Sequence, residues 1–467
     1  MARIVIGYPP IENKKGIVRL SQNRQLQFLQ TPCFIYPMVP AYAATMLKNV
    51  GHEVYWLDGI AEKKTYEQWK NELFNINPDY LILESKAPVI KFHWKVIDQL
   101  KKILPDTKTI LVGDHVTAFP EESLKNSKVD YVVTGGDYDF GIVELINKTK
   151  LNHNLDELPF IDRELTKWQL YAFENGNYKY TPGTYMYSGR DCWWGKCSFC
   201  VWNHTLNPCG TYRQFSAKRL FAEVKDIVDK YYIKEIFDDA GTFMAGKPFQ
   251  DFCRLMIDSG YNKKIRFGIN MRFGILKKED YQLMAEAGFK MILYGLESAN
   301  QETLNKINKG IDIGKIKTEL YIAKKAGLEP HITAMIGYPW ENYQDAQNTV
   351  KFMRNLLKED LIDSLQVTTI MPYPGTPLWR ESQKKKWLLT ENYDDYDMSR
   401  SVLKSPLTEK QIAQLLKQAF APPFYPKFIW GKMMGLRNLE DLKEIVISAK
   451  KLFTYWFNFW RKEKWGK

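Results

Sequence analysis

Asp191-Cys192-Trp193-Trp194-Gly195-Lys196-Cys197-Ser198-Phe199-Cys200 puts three thiols within nine residues. Thiolates are metal ligands, and three on one short loop can hold three irons of an iron–sulfur cubane while the fourth iron stays open to a substrate or cofactor. That open position separates a catalytic cluster from one that only carries electrons. Zinc is the competing reading, since His204 and Cys209 follow and either could complete a tetrahedral set with the three thiolates. Structural zinc sites usually pair two separated knuckles, whereas this is one compact loop. Cys33 and Cys253 stand apart and are expected to be ordinary buried side chains.

The loop needs a scaffold, and the flanking sequence supplies one. From about Tyr185 an αβ series begins, with strands at Glu235-Ile236-Phe237, Ile265-Arg266-Phe267-Gly268-Ile269, Met291-Ile292-Leu293-Tyr294, His331 to Ile336 and Ser364 to Thr369. Helical stretches over 217–230, 278–287 and 314–326 separate them. Six or so such units make a partial or full (β/α) barrel with its chemistry at the strand ends. Ahead of it, strands at Arg3 to Gly7, His52 to Asp58, Tyr80 to Leu83, Thr109 to Gly113 and Val129 to Val133 alternate with helical stretches, the first over 41–49. That pattern predicts a doubly wound parallel sheet, which binds ligands beyond the carboxyl ends of its strands. The chain is thus α/β, with a first domain over 1–145, a connector over 146–180, a barrel over 181–390 and a helical, basic and aromatic region over 391–467.

Composition agrees with this multidomain globular reading: 467 residues, 45% hydrophobic and 26% charged. Six cysteines are too few for a disulfide scaffold of this length. No apolar run reaches the ~18 residues of a membrane span, and the N-terminus reads into a strand rather than a signal peptide. The cytoplasm is the expected compartment. The net charge of +12 is concentrated in the tail, where residues 401–467 hold 13 basic and 5 acidic side chains.

Beyond the cysteine loop, the order of several stretches resembles the radical S-adenosylmethionine (SAM) enzymes, and within them the class with an N-terminal cobalamin-binding domain. The usual family loop is C-x3-C-x2-C with an aromatic before the last Cys, which Phe199 supplies; this chain has C-x4-C-x2-C. Phe237-Asp238-Asp239-Ala240-Gly241-Thr242-Phe243 resembles the family's aspartate pair near the methionyl amino group. Asn270-Met271-Arg272 resembles the strand-end arginine segment, and Tyr294-Gly295-Leu296-Glu297-Ser298 the stretch whose acid contacts the ribose. Two later signatures follow in order, Met335-Ile336-Gly337-Tyr338-Pro339-Trp340-Glu341 and Pro372-Tyr373-Pro374-Gly375-Thr376-Pro377. The resemblance implies a [4Fe-4S] cluster on Cys192, Cys197 and Cys200, and SAM bound by Phe199, Asp238, Asp239, Arg272, Glu297 and Ser298. Each stretch also has a plain reading: Asp238 and Asp239 as helix caps, Glu297 as a solvated turn residue.

In the first domain, Tyr8-Pro9-Pro10, Gly113-Asp114-His115-Val116-Thr117 and Thr134-Gly135-Gly136 resemble the cobalamin-binding domain of that class. Pro10, Gly113, His115, Thr117, Gly135 and Gly136 are the implied cobalamin contacts. No D-x-H-x-x-G motif occurs, so no histidine is marked as a lower cobalt ligand, and a satisfied loop histidine is the favoured reading of His115.

Phe424 to Trp430 and Phe453 to Lys462 mix large aromatics with Lys and Arg. That mixture suits a membrane interface carrying anionic lipid, and less well nucleic acid, because side chains that read base edges are lacking. A helix packing its aromatics on the barrel is the plain alternative.

The resemblance implies reductive cleavage of SAM to a 5′-deoxyadenosyl radical, an external electron donor, and methyl transfer from cobalamin to an unactivated carbon of a small-molecule or lipid substrate. Oxidation, cyclisation or carbon–carbon bond formation are the alternative outcomes. A non-catalytic iron–sulfur or zinc protein, attached to nucleic acid or membrane by its tail, is the alternative of another class.

Overall fold

The computed structural model describes residues 1–13, 15–19, 27–29, 32–173, 178–436 and parts of 441–450. The chain divides into two compact units, Met1–Met244 with Met371–Val402, and Ala245–Ile370 with Leu403–Lys467.

The first unit opens with β1 (Arg3–Tyr8), a short antiparallel hairpin of β2 (Ile17–Arg19) and β3 (Gln27–Leu29), then β4 (Glu53–Asp58), β5 (Tyr80–Glu84), β6 (Lys108–Val112) and β7 (Tyr131–Val132). All but the hairpin form one parallel sheet in the order β4-β1-β5-β6-β7. The strands read as continuous apolar runs because helices cover both faces, and Ile4, Val5 and Ile6 are almost fully buried. The first helix spans Met38–Asn49 and so begins before position 41, because Pro40 falls in the first turn, where a missing N–H costs no helical bond. β7 is only two residues long and exposes Tyr131, as a sheet edge does. Trp69, Leu73, Leu81, Leu83, Ile97 and Leu111 lie in one core cluster.

Later in the same unit, β8 (Gly183–Met186) pairs in parallel with β11 (Glu235–Asp238), Met186 opposite Asp238. Between them in sequence, β9 (Gly189–Arg190) and β10 (Arg213–Gln214) form a two-residue antiparallel ladder. The cysteine loop is the segment that this ladder pinches off.

The second unit holds the parallel strands β12 (Arg266–Met271), β13 (Phe289–Glu297), β14 (Glu329–Ile336) and β15 (Ser364–Thr369) in sequential order. Its helix Tyr343–Lys358 starts with a reciprocal cap between Asn342 and Asp345. The C-terminal helices Glu409–Ala419 and Pro426–Met434 follow. The latter docks through polar contacts: Lys432 Nζ donates to Asp363 at 2.7 Å, and the Arg354 guanidinium lies 4.9 Å from the Tyr425 ring centre. Phe424, Trp430, Met433 and Met434 remain exposed, Phe424 by 72% and Trp430 by 62%. The plain expectation of inward-packed aromatics therefore fails for these residues, because the docking contacts are polar and leave the apolar side outward. Phe453 to Lys462 lie outside the described residues.

Candidate active site

The cysteine loop has a charged stem. Arg190 is buried and grips Asp139 through both terminal nitrogens, at 3.0 and 2.6 Å, while also donating to Asp137 Oδ1 at 3.2 Å and the Gly136 carbonyl at 3.0 Å. Opposite it across the ladder, Arg213 donates to both oxygens of Asp137, at 2.6 and 2.7 Å. Two arginines and two aspartates thus tie both ends of the loop to the start of the helix Tyr138–Asn147.

Within the loop, Cys197 is buried, and Cys192 and Cys200 are half-buried. Asp191 Oδ1 accepts from the Gly241 N–H at 2.5 Å, and Cys192 Sγ is hydrogen-bonded to Thr242 Oγ1 at 3.1 Å. The turn after β11 therefore holds the first cysteine. Asp238, the last residue of β11, is fully buried; its Oδ1 accepts from Ser188 Oγ and the Ala240 N–H, and among the described residues its Oδ2 has no hydrogen-bond partner. Burial raises its carboxyl well above the usual range. Asp239 is half-buried and gives its N–H to the Met186 carbonyl, and Phe199 is half-buried on the loop. Neither aspartate caps the next helix, which starts only at Lys247.

Both metal readings draw on the thiols of this loop. Ligands of one zinc ion, at about 2.3 Å each, lie within about 4 Å of one another, whereas cubane thiolates each take a separate iron. Among the described residues no three His, Cys, Asp or Glu side chains converge as ligands of a single ion. His204 is committed elsewhere, its Nε2 lying 3.0 Å from the Cys197 carbonyl oxygen, and burial lowers its pKa. Cys209 is exposed. Three thiols on a loop with a fixed stem fit an iron–sulfur cluster.

In the second unit, β13 bulges between Gly295 and Glu297, and Glu297 takes a left-handed backbone with φ of 69°. Its Oε1 accepts from Lys309 Nζ at 2.7 Å, both side chains being about nine-tenths buried. Glu297 is therefore a paired buried acid and not a solvated turn residue. Arg272 donates to the Lys309 carbonyl at 2.6 Å and the Gly310 carbonyl at 3.1 Å. Ser298 is buried, with its Oγ accepting from the Asn300 N–H at 3.1 Å. Lys309 carries no motif and was invisible in the sequence, as was the Arg190 to Asp139 clamp; Thr242 lay within a recognised stretch, but its bond to Cys192 did not show there.

The cobalamin candidates divide. Gly113 has φ of 117°, and a Cβ there would fall 2.1 Å from the Ser85 carbonyl oxygen; a Cβ on Gly136 would fall 2.3 Å from Asn207 Oδ1. Both glycines serve close packing within the protein. His115 is buried among Trp94, Phe119 and Tyr393, with Nε2 3.0 Å from Glu122. Pro10 is buried against Gly59. Thr117 and Gly135 keep part of their surface exposed; Thr117 Oγ1 accepts the Gly135 N–H at 3.0 Å, and a Cβ on Gly135 would meet nothing within 4 Å. The strand order places a switch point between β1 and β5. Tyr8 and Tyr138 both donate to the buried Glu84 there, at 2.7 and 2.9 Å, and fill that crevice. An open backbone at Gly135 fits a flat ligand laid over the carboxyl edge of the sheet more readily than one inserted between its strands.

Comparison with known proteins bears on this geometry. Residues 186–353 match the radical SAM superfamily. That segment, about a third of the chain, carries the radical SAM pattern. The radical SAM segment starts at the last residue of β8 and takes in the cysteine loop, the β11 turn and the Glu297 pair. An uncharacterised methyltransferase of Pyrococcus horikoshii is 27% identical over 413 residues, covering 82% of this chain and 86% of its own length. The anaerobic magnesium-protoporphyrin IX monomethyl ester cyclase of Cereibacter sphaeroides is 22% identical, over 79% of this chain and 63% of its own length. The hopanoid C-3 methylase of Methylococcus capsulatus is 22% identical, over 88% and 79%. The fold matches the radical SAM methyltransferase TsrM of Kitasatospora setae, solved with cobalamin and a [4Fe-4S] cluster, with a TM-score of 0.64 at 14% identity, over 91% of this chain and 90% of that one. Among the described residues no helix is long and apolar enough to cross a membrane.

Proposed function

We propose that the chain is a radical SAM enzyme, and within that class a cobalamin-dependent methyltransferase acting on an unactivated carbon. The observation that carries the reading is the stem-fixed loop of three cysteines, on a chain similar over four-fifths of its length to a protein named as a methyltransferase. Cys192, Cys197 and Cys200 are the ligands of a [4Fe-4S] cluster, which when bound supplies the electron for SAM cleavage. Phe199, Asp238, Asp239, Arg272, Glu297 and Ser298 are assigned to SAM on the resemblance of their stretches to those of the family. Asp238 holds the turn that presents Thr242 to Cys192. Thr117 and Gly135 are assigned to cobalamin, which when bound supplies the methyl group. Domain limits of 1–145 and 181–390 accompany this reading.

The cyclase relative favours a second reading, ring closure without methyl transfer. Anaerobically reconstituted enzyme, given SAM labelled in its methyl group, a reductant and methylcobalamin, tests both. Formation of 5′-deoxyadenosine with label retained in a product supports methylation; 5′-deoxyadenosine with no label transferred supports the second reading. Absence of both products counts against the function itself.

The substrate class follows from the tail and from the hopanoid relative. Exposed Phe424, Trp430, Met433 and Met434, together with the basic surplus after position 400, suit an anionic membrane surface, and a lipid or isoprenoid substrate reached from it.

A further inference from the structure

We propose that Lys309 is a positioning residue for SAM, acting through Glu297; this deepens the cofactor reading above and rests on it. The sequence dictates where Lys309 sits. The helix Gln301–Lys306 ends with Asn308 at φ of 53°, the Asn308 N–H on the Asn305 carbonyl at 3.0 Å and the Lys309 N–H on the Leu304 carbonyl at 2.9 Å. This paired ending, with a left-handed Asn as its hinge, reverses the chain and returns residue 309 toward the carboxyl end of β13. Arg272, from the end of β12, then fixes both the Lys309 and Gly310 carbonyls.

Glu297 arrives from the other side. Its left-handed backbone and the bulge before it turn the carboxylate back along its own strand, over Gly295. A Cβ on Gly295 would lie 2.3 Å from Glu297 Oε1 and 2.7 Å from Lys309 Nζ. The glycine two residues before the acid is therefore the space that the ion pair occupies. Removing an acid from water is costly unless its charge is matched, and the ammonium supplies that match. Oε1 is committed to Lys309, and among the described residues the hydrogen bond that Glu297 accepts through its side chain is this one, leaving Oε2 to another donor. A carboxylate with one oxygen fixed by a buried cation and the other open is an acceptor aimed at hydroxyl donors. A ribose diol is that kind of donor. The contribution of Lys309 is to fix the orientation of this acceptor, with no contact to the nucleoside required of its own side chain.

The test uses the full-length, anaerobically reconstituted protein and compares Kd for SAM with Kd for its 2′- and 3′-deoxyribose analogues. Wild-type protein should prefer SAM over at least one analogue by about 10- to 100-fold, the worth of a hydrogen bond to a charged group. Lys309→Met should weaken SAM binding by a similar factor and erase that preference at unchanged iron content, while the unmatched Glu297 carboxylate lowers the unfolding temperature. Lys309→Arg should restore most of it. If Lys309→Met does not fold, Gly295→Ala, which presses on the same ion pair, is read in its place. A Lys309→Met or Gly295→Ala protein that keeps the wild-type preference for the ribose hydroxyls overturns the proposal, and so does equal weakening of SAM and both analogues, which marks a purely structural role. A wild-type protein that takes up its cluster but has no affinity for SAM overturns the cofactor reading itself, a result separable from the other two.

Discussion

Arg190 closes on Asp139 with two parallel hydrogen bonds, one residue outside the cysteine loop and fifty-one positions along the chain from its partner. Both side chains are almost completely buried. Truncating one member of a buried pair leaves the other charge without a match, at a cost of about 3–5 kcal/mol. Asp139→Ala should therefore lower the unfolding free energy by about that amount in chemical denaturation, and reconstitute with less iron. A variant of unchanged stability would show that water reaches Arg190 and that the stem is not dry.

Iron and sulfide analysis addresses the cluster ligands. Replacement of Cys192, Cys197 or Cys200 by Ala should abolish a content of about four irons and four sulfides, as ligation by three thiolates requires. Cys33, Cys253 and Cys209 should be dispensable, the first two being buried apart and the last exposed. Stoichiometric zinc without sulfide would sink the assignment.

Glu341 gives a pH signature. It is fully buried, its Oε2 accepts from the Gly337 N–H at 2.7 Å, and among the described residues its Oε1 has no hydrogen-bond partner. Burial pushes its carboxyl from 4.5 up to about 7. A folded pKa above the unfolded one means that its stabilising contribution is complete below pH 4.5 and is lost as pH rises through about 7. Glu341→Gln should match wild type below pH 4.5 and be more stable above pH 7, by ~3 kcal/mol. Thermal unfolding at a series of pH values measures the divergence; parallel curves would mean that Glu341 is not the group responsible.

Corrinoid binding should not depend on His115. Its Nε2 is engaged by Glu122 and its ring is packed on Tyr393 at 4.6 Å, so His115→Gln should cost stability but leave the absorption spectrum of bound cobalamin unchanged. Loss of a nitrogen-ligated signature in the variant would reassign the histidine to cobalt.

Vesicle flotation decides the role of the tail. Full-length protein should float with anionic vesicles at low salt, less so at high salt, and less again when Phe424 and Trp430 are both changed to Glu. Equal flotation of both proteins, or none, would remove the lipid-substrate inference.

The strands of both series, the order of the parallel steps and the cysteine loop were legible in the sequence, because buried parallel strands are apolar runs and thiols crowd in few other circumstances. Local rules also placed the helices expected over 217–230 and 278–287 to within a residue, while the one expected from 41 starts earlier because Pro40, a residue usually read as a stop, lies in a first turn. What tertiary structure decided was partnership at a distance. Arg190 with Asp139, Cys192 with Thr242 and Glu297 with Lys309 join positions 51, 50 and 12 apart, and no spacing rule selects one lysine or aspartate from the many available. The same holds in reverse for Gly113 and Gly136, which read as openings for a ligand and prove to be close-packed against Ser85 and Asn207. A missing side chain is written in the sequence, but whether ligand or protein fills its space depends on what the fold brings opposite.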